Sequence, residues 1–344
     1  MSAPETTRMR LEIDEAPEAV RRLLSQSTEA IEATGAALRR LDPPVVITVA
    51  RGSSDHAATF FKYVCEISRG TPVASIGPSV ASVYDAPLRL AGAAALAISQ
   101  SGKSPDLLSL VARAAAGGAD TVALVNVEDS PLATSCSQVV PLRAGPELSV
   151  AATKSFITSA VAALAVLAAW NEDEVLKAAL QHLPDALDEA LSCDWSGALE
   201  TFVAAESLYV LGRGPSFAMA SEAALKFKET AILHAEAYSG AEVQHGPVSL
   251  VDGSFPVLAL IPQDAASEGM EKVVAELAAR GAKVFAASAR PGAGIRLPVA
   301  STGHPLTDPL ATILSFYRFV EQVAVQRGFN PDKPRHLKKV TETL

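Results

Sequence analysis

Two parts of this 344-residue chain repeat each other, and the repeat limits the possible folds more than any other feature. The residues around Arg213 resemble those around Arg51, which stands 162 positions earlier. A second pair of similar segments, at 118–122 and 281–285, recurs at an offset of 163. Two matches at nearly one offset indicate that the chain contains the same domain twice.

Each copy alternates apolar segments with helical patterns. In the first copy the apolar segments are short and rich in β-branched residues, which is typical of buried strands. They lie at residues 45–50, 72–76, 93–99, 121–127 and 139–142. Strands that alternate with helices form a parallel sheet with helices on both faces. The sequence therefore predicts the α/β class, with two tandem doubly wound parallel-sheet domains related by duplication.

The predicted boundaries follow these patterns. A charged helical pattern before the first strand predicts a leading helix that packs on the first domain. A second charged helical stretch predicts a linking helix. The predicted segments are a leading helix at 1–35, a first domain at 36–170, a linking helix at 171–197, a second domain at 198–328 and a tail at 329–344.

Composition argues against several classes of partner. A net charge of -9 and a pI of about 5.3 argue against nucleic acid and anionic membranes, because both bind basic surfaces. The three cysteines have no metal-like spacing, which predicts buried thiols in a reducing compartment. The N-terminus lacks the apolar core of a signal peptide, and the apolar run at 157–170 is too short to span a bilayer. We therefore expect a soluble, cytoplasmic protein.

A hydroxyl-rich turn at 98–106 follows one predicted strand and precedes a helical pattern. Ser104 suits the N-cap of that helix, Pro105 its first position, and Asp106 the positive end of its dipole. Backbone N–H groups at a helix start, together with hydroxyl and amide donors, can bind an anion such as phosphate. The predicted phosphate ligands are Ser99, Gln100, Ser101 and Ser104.

The second copy does not repeat this hydroxyl-rich turn at 98–106, which we call the serine turn. At the equivalent place, residues 261–264 include Pro262, which lacks an N–H donor, and Asp264, whose carboxylate repels phosphate. We therefore predict one anion site, in the first copy, and a different role for the second copy.

A helical pattern in the second copy carries Glu222, Lys226 and Glu229 on one face. This pattern fits either a solvated face with an ion pair or a carboxylate that a lysine positions for chemistry. His245 precedes a Gly-Pro turn, where a loop can hold a structural histidine or present the imidazole to a cleft. Four residues are also possible metal ligands: His234, Glu236, Glu242 and His245. Their spacing fits no compact metal motif, so we predict neither a metal ion nor an organic cofactor.

The C-terminal segment 330–341 is charged and contains two prolines. Such a tail is commonly frayed and solvated. A lysine within it could instead meet a substrate carbonyl and form a Schiff base, provided that burial lowers its pKa. Both interpretations are compatible with the composition of the segment.

Seven motifs occur in order along the chain, at residues 50–54, 99–102, 150–154, 225–229, 234–238, 245–247 and 332–339. Together they resemble the SIS (sugar isomerase) family, specifically the isomerase half of glucosamine-6-phosphate synthase and its stand-alone deaminase relatives. The resemblance extends from about residue 35 to the end of the chain. It implies two flavodoxin-like SIS domains. It also implies a homodimer, because the family's histidine loop reaches the site of a neighbouring subunit.

The resemblance implies a role for each candidate residue. Glu229 would move a proton between C1 and C2 of the sugar, His245 would assist ring opening, and Lys339 would meet the carbonyl carbon. The four residues of the serine turn would bind the sugar phosphate. The residues expected to line or shape the sugar pocket are Gly52, Ser54, Val150, Glu222 and Lys226.

Two departures from the synthase bear on the reaction. The chain has no glutamine amidotransferase domain before its sugar domains, so we expect no ammonia from glutamine, and Ala152 replaces a serine of the synthase. We predict the catabolic direction, from glucosamine 6-phosphate to fructose 6-phosphate and ammonia. The alternatives are a galactosamine-6-phosphate deaminase, a fructosamine-6-phosphate deglycase, an aldose-ketose isomerase, or a non-catalytic sugar-phosphate sensor.

Overall fold

The computed structural model describes residues 6–337 and residue 339, which form two compact units. The first unit consists of Glu18–Glu147 and Lys154–Gln181 together with Lys339. The second consists of the residues up to Pro17, Leu148–Thr153 and His182–Leu337. The outermost parts of the predicted leading helix and tail, at residues 1–5, 338 and 340–344, lie outside the described residues.

Three helices open the chain where the sequence predicts one: α1 (Arg8–Asp14), α2 (Ala16–Gln26) and α3 (Thr28–Leu41). The first break falls next to Pro17, because proline is tolerated in the first turn of a helix but not in its interior. The Thr7 hydroxyl donates to Glu321 at 2.8 Å, and the Asp332 carboxylate accepts from two backbone N–H groups at the start of α1. These bonds hold α1 in the second unit, whereas the sequence predicts a leading helix on the first domain.

The first unit contains a five-stranded parallel sheet with the strand order β2-β1-β3-β4-β5. Its strands are β1 (Val46–Val49), β2 (Val73–Ser75), β3 (Ala94–Ser99), β4 (Asp120–Val125) and β5 (Gln138–Pro141). The helices that follow α3 in the chain are α4 (Ser53–Arg69), α5 (Ser79–Ser82), α6 (Pro105–Ala116), α7 (Pro131–Ser135), α8 (Lys154–Asn171) and α9 (Glu174–Ala190). Every residue of β1 and β3 is buried, which explains their continuous apolar runs.

The second unit repeats this arrangement. Its strands are β6 (Ser207–Gly212), β7 (His234–Ser239), β8 (Pro256–Leu260), β9 (Lys283–Ala287) and β10 (Ile295–Leu297). Their order in the parallel sheet is β7-β6-β8-β9-β10, which matches that of the first unit. Its helices after α9 are α10 (Leu199–Ala204), α11 (Pro215–Ala231), α12 (Ser267–Ala279) and α13 (Asp308–Gln326). The predicted α/β class with two duplicated, doubly wound sheets is confirmed.

The duplication extends to the backbone at both ends of equivalent helices. Gly52 and Gly214 precede α4 and α11 with φ values of 55° and 59°, a conformation that L side chains rarely adopt. Both helices contain 17 residues. Each ends at a left-handed residue, which is Gly70 in the first copy and Ile232 in the second.

The helix α8 forms the centre of the first unit, where it packs against α3 and α4. Its 18 residues make it long and apolar enough to cross a membrane, so the expectation that this apolar run is too short is wrong. However, 94% of the helix is buried inside the protein, as is typical of a core helix. The three cysteines are free, and Cys65 is buried, which raises the pKa of its thiol to about 12. Cys136 and Cys193 are only half-buried, so the prediction of buried thiols fits Cys65 alone.

Candidate active site

The serine turn joins the end of β3 to the start of α6 in the first unit. The hydroxyl oxygen of Ser99, which is buried, accepts a hydrogen bond from the backbone N–H of Gly102 at 3.0 Å. Gly102 has a φ of 64°, and a Cβ at this position would collide with the side chain of Ser130. The turn therefore has a defined shape that depends on glycine. The Ser99 hydroxyl keeps its proton for donation to a ligand.

The other side chains of the turn remain available to a ligand. Gln100 and Ser104 are half-buried, and neither side chain has a hydrogen bond to a described residue. Ser104 has the extended backbone of an N-cap, but its hydroxyl does not cap α6. Ser101 accepts a long hydrogen bond of 3.4 Å from the backbone of Lys103. The predicted phosphate ligands thus surround the start of a helix with unused donors.

Asp106 is almost fully buried at the start of α6, with 1% of its surface exposed. The guanidinium of Arg51 donates to one oxygen of Asp106 through two nitrogens, at 2.8 and 3.0 Å. Sequence reasoning used Arg51 as a marker of the repeat and as part of the motif at 50–54, without a role of its own, and assigned Asp106 to the helix dipole. In the structure Arg51 balances a buried negative charge that lies beside the predicted phosphate site.

Gly52 and Ser54 lie at the same end of the parallel sheet as the serine turn, next to the carboxyl ends of the strands. They follow β1, which is the neighbour of β3 in the parallel sheet. In a sheet of this order, the gap between β1 and β3 is where the strand order reverses, and ligands commonly bind at the carboxyl ends of strands there. The fold thus brings two predicted sugar residues and the four predicted phosphate residues to the carboxyl ends of two neighbouring strands.

In the second unit, three of the charged residues of α11, which are Glu222, Lys226 and Glu229, form a largely buried array. Glu222 and Lys226 are completely buried, and the Lys226 ammonium lies 3.3 Å from Glu222 and 2.5 Å from Glu229. The hydroxyl of Tyr317, on α13, donates to Glu222 at 3.0 Å. The side chain of Glu229 keeps 21% exposure. The interpretation of this face as a solvated ion pair is therefore wrong, and Tyr317 is a member that sequence reasoning missed.

The array holds a lysine that stays charged. Burial alone would lower the pKa of Lys226, but the charges of Glu222 and Glu229 outweigh this effect and hold the pKa above its usual value. The ammonium therefore remains a fixed donor that orients the Glu229 carboxylate. Because Glu229 is the partly exposed member of the array, it can receive a proton from a bound molecule.

His245 ends a 3-10 turn at Glu242–His245 and is exposed. Gly246 follows with a φ of 140°, and a second 3-10 turn covers Pro247–Leu250. The imidazole has no hydrogen bond to a described residue, so the loop presents it outward. No group of three His, Cys, Asp or Glu residues in the described ranges could hold a metal ion.

Lys339 is anchored in the first unit rather than frayed. Its ammonium nitrogen lies 3.0 Å from Oε2 of Glu147, whose side chain is completely buried. Glu147 also accepts from the backbone N–H of Ser155 at 3.0 Å and from the Ser155 hydroxyl at 2.6 Å. Glu147 is another residue that sequence reasoning missed, since a single glutamate before the 150–154 motif carries no signal of its own.

Val150 belongs to the second unit, in the segment Leu148–Thr153. Its backbone N–H donates to the carbonyl of Asp332 at 3.4 Å. The buried carboxylate of Glu12, on α1, accepts from the backbone N–H groups of Leu148 and Ser149. The backbone around Val150 is therefore held by both α1 and the C-terminal segment.

The predicted site residues are divided between the two units. In the first unit are the serine turn, Gly52, Ser54 and Lys339, and in the second are the α11 array, Val150 and His245. The sequence profile of the SIS domain matches residues 42–169 and 201–292. These two matched segments contain most of the two α/β repeats.

Known proteins resemble both repeats together. Glutamine-fructose-6-phosphate aminotransferase (isomerizing) from Sulfurisphaera tokodaii is 33% identical over 337 residues, which cover 95% of this chain and 55% of the relative. The chain thus spans about half the length of the curated relatives it matches.

Two solved structures share the whole architecture. A protein from Silicibacter pomeroyi assigned to the phosphosugar isomerases is 53% identical, with a TM-score of 0.92, and the match covers 95% of this chain and 100% of that one. The C-terminal domain of glucosamine-fructose-6-phosphate aminotransferase from Francisella tularensis is 27% identical, with a TM-score of 0.83. That match covers 97% of this chain and 100% of the other.

Proposed function

This chain belongs to the SIS domain family, and on that basis we propose that it is a phosphosugar isomerase that converts glucosamine 6-phosphate to fructose 6-phosphate and ammonia. The relatives support the isomerase part, since one is assigned to the phosphosugar isomerases and two are aminotransferases named for fructose 6-phosphate. The release of ammonia is the aminotransferase's sugar chemistry run in the opposite direction. This release of ammonia is our proposal and goes beyond what the relatives' names support.

The observation that carries the proposal is the buried array on α11. A lysine held between two carboxylates, one of them partly exposed, is costly to bury and does not arise on an ordinary solvated face. Such an array suits a reaction in which one carboxylate takes a proton from a carbon and returns it to the neighbouring carbon. This proton transfer is the central step of aldose-ketose interconversion through an enediol.

In the proposed mechanism, the serine turn binds the sugar phosphate through Ser99, Gln100, Ser101, Ser104 and backbone N–H groups of the turn. Gly52, Ser54 and Val150 line the sugar. His245 assists ring opening by moving a proton between the ring oxygen and the C1 hydroxyl. The open-chain sugar then has an aldehyde at C1 and an amine at C2.

Glu229 next removes the proton from C2 and returns a proton to C1, while a proton passes from the amine nitrogen to O1; this converts the 2-amino aldehyde into a ketimine with a C2=N bond and a hydroxyl on C1. Lys226 and Glu222 hold the Glu229 carboxylate in place. Water adds to C2 and ammonia leaves, which gives fructose 6-phosphate. Alternatively, the Lys339 amine displaces ammonia from C2 and water then hydrolyses the new imine. These reaction steps require no metal ion or organic cofactor.

A second candidate is a plain aldose-ketose isomerase, which the assignment of the Silicibacter pomeroyi protein favours. This reaction needs Glu229 and His245 but neither releases ammonia nor requires Lys339. The epimeric deaminase differs from the main proposal in the sugar that it accepts and releases. The deglycase differs in that the amine is on C1 of a ketose, and its release leaves an aldose phosphate. A sugar-phosphate sensor would bind the phosphate and leave the sugar unchanged.

One panel of substrates distinguishes these functions. We expect ammonia from glucosamine 6-phosphate, measured beside galactosamine 6-phosphate and a fructosamine 6-phosphate, with the Glu229→Gln protein as the control for contaminating activity. Interconversion of hexose 6-phosphates without ammonia would favour the plain isomerase. Binding measured by calorimetry without any turnover would indicate a sensor and would refute the proposal.

The assembly and location of the protein are part of the same proposal. We infer a homodimer in which His245 serves the site of the neighbouring subunit, and a cytoplasmic protein whose small-molecule partner is a sugar phosphate. The outward presentation of His245 supports the first inference. Neither nucleic acid nor a membrane is expected to bind a chain with a net charge of -9.

A further inference from the structure

The loop that carries His245 is fixed by contacts on both sides of this residue. Val243 before it and Val251 after it are buried in the apolar cluster of the second unit. Between these two valines, the side chain of Gln244 donates to Glu276, on α12, at 3.0 Å. The loop is therefore anchored before His245 by a polar contact at an exposed position, where water competes with it.

After His245 the chain passes through Gly246, whose φ of 140° is open to glycine but not to other residues. A Cβ at Gly246 would meet nothing within 4 Å, so the packing around this residue does not hold the chain in place. The next residue is Pro247. It is the first residue after His245 that accepts a hydrogen bond from a side chain of the sheet. The direction of the loop after His245 thus depends on the contact at Pro247.

That contact comes from Tyr209, on β6, whose hydroxyl donates to the Pro247 carbonyl at 3.1 Å. Tyr209 is 1% exposed, and its ring packs edge-on against Tyr238, at 5.1 Å between centroids, and at a tilt against Phe255, at 4.9 Å. Burial, with a smaller contribution from the charge of Glu236, raises the pKa of the Tyr209 hydroxyl, which keeps it protonated as a donor. Tyr209 is thus a buried, well-packed hydrogen-bond donor to the loop that carries His245.

We propose that Tyr209 is a positioning residue for His245: its hydroxyl fixes the Pro247 carbonyl and with it the place where the imidazole leaves the loop. This inference deepens the proposed function, because it concerns the residue that assists ring opening there. A catalytic group that moves by about 1 Å can lose a large part of its effect. Removal of one hydroxyl should therefore reduce turnover although Tyr209 touches no reacting atom.

The test compares Tyr209→Phe in two backgrounds. In the otherwise unchanged protein we expect kcat/KM to fall about tenfold, which corresponds to the loss of one hydrogen bond. In a His245→Ala background the same substitution should change kcat/KM by less than about twofold, because there is no imidazole left to position. An equal loss in both backgrounds would show a merely structural role and would overturn the proposal, as would no loss in the first.

Tyr238→Phe is the matched control. The Tyr238 ring packs against the Tyr209 ring, but the Tyr238 hydroxyl donates to Glu236 at 2.9 Å and not to the loop that carries His245. We expect this variant to keep kcat/KM within about twofold of the unchanged protein. A tenfold loss in Tyr238→Phe would mean that any hydroxyl in the aromatic group matters and would contradict the assignment to Tyr209.

A second readout is independent of the reaction. Amide hydrogen exchange of residues 244–250 should be at least several times faster in Tyr209→Phe than in Tyr238→Phe, with equal thermal unfolding temperatures for both variants. Unchanged exchange in the loop would overturn the positioning role even in an active enzyme. If no sugar phosphate is turned over, the proposed function fails, and the exchange measurement still decides whether Tyr209 positions the loop.

Discussion

The ammonium nitrogen of Lys339 lies 3.0 Å from Oε2 of Glu147, a carboxylate with no exposed surface. Ser155 supplies two further hydrogen bonds to the same carboxylate. Because a buried carboxylate needs a counter-charge, this pair fixes the C-terminal lysine in the first unit. The lysine side chain itself keeps 26% exposure, so it can be reached by a bound molecule.

The first prediction concerns this pair. Glu147→Gln keeps the size of the side chain and can keep a bond to Ser155, but it removes the charge that holds Lys339. We expect kcat to fall about tenfold, and the effects of Glu147→Gln and Lys339→Ala on kcat to be non-additive in the double variant. Full activity of Glu147→Gln beside an inactive Lys339→Ala would show that the lysine works without this partner.

The second prediction concerns the proposed base. Glu229→Gln should lower kcat at least about 100-fold, since a positioned general base commonly contributes that much, while substrate affinity changes little. Steady-state kinetics give kcat, and calorimetry on the inactive variant gives the affinity. Glu200→Gln, at an exposed position of α10, is the control and should behave like the unchanged protein. If the Glu229→Gln protein stays active, Glu229 is not the base.

The third prediction concerns the charge beside the proposed phosphate site. Arg51→Gln leaves the Asp106 carboxylate without its guanidinium partner, so the turn should repel an incoming phosphate. We expect KM to rise about tenfold with a smaller change in kcat, and the inhibition constant of inorganic phosphate to rise as well. Adding Asp106→Asn to the same protein should restore much of the affinity. No rescue by the second substitution would mean that Arg51 contacts the phosphate itself.

The fourth prediction concerns stability. Ile232 ends α11 with φ 50° and ψ 45°, a left-handed conformation that is unfavourable for a β-branched residue, and it is 40% exposed. The first copy has Gly70 at the equivalent place. Ile232→Asn should raise the free energy of unfolding by about 1 kcal/mol, because asparagine tolerates this conformation. Urea unfolding measures the change, and Ile232→Val, which keeps the strain, should show no gain.

Much of the fold could be predicted because its signals are local. The buried strands were visible as β-branched runs, and the serine turn combined an N-cap, a proline and an acid within three residues. Separate breaks in the leading helix were harder to predict, since the pattern of apolar residues continues across Pro17. The assignment of α1 to the second unit depends on bonds from Asp332 and Glu321, which lie more than 300 positions away in the chain.

By itself, the sequence determined the duplicated α/β architecture and the place of the serine turn. Periodicity and capping residues are properties of neighbouring residues, and the repeat is visible when two stretches of the sequence are compared directly. Only the tertiary structure decided that the α11 array is buried rather than solvated, that Glu147 holds Lys339 across 192 positions, and that Arg51 neutralises Asp106. Burial and long-range charge pairing depend on what packs against a residue, and the spacing of residues along the chain carries no record of that packing.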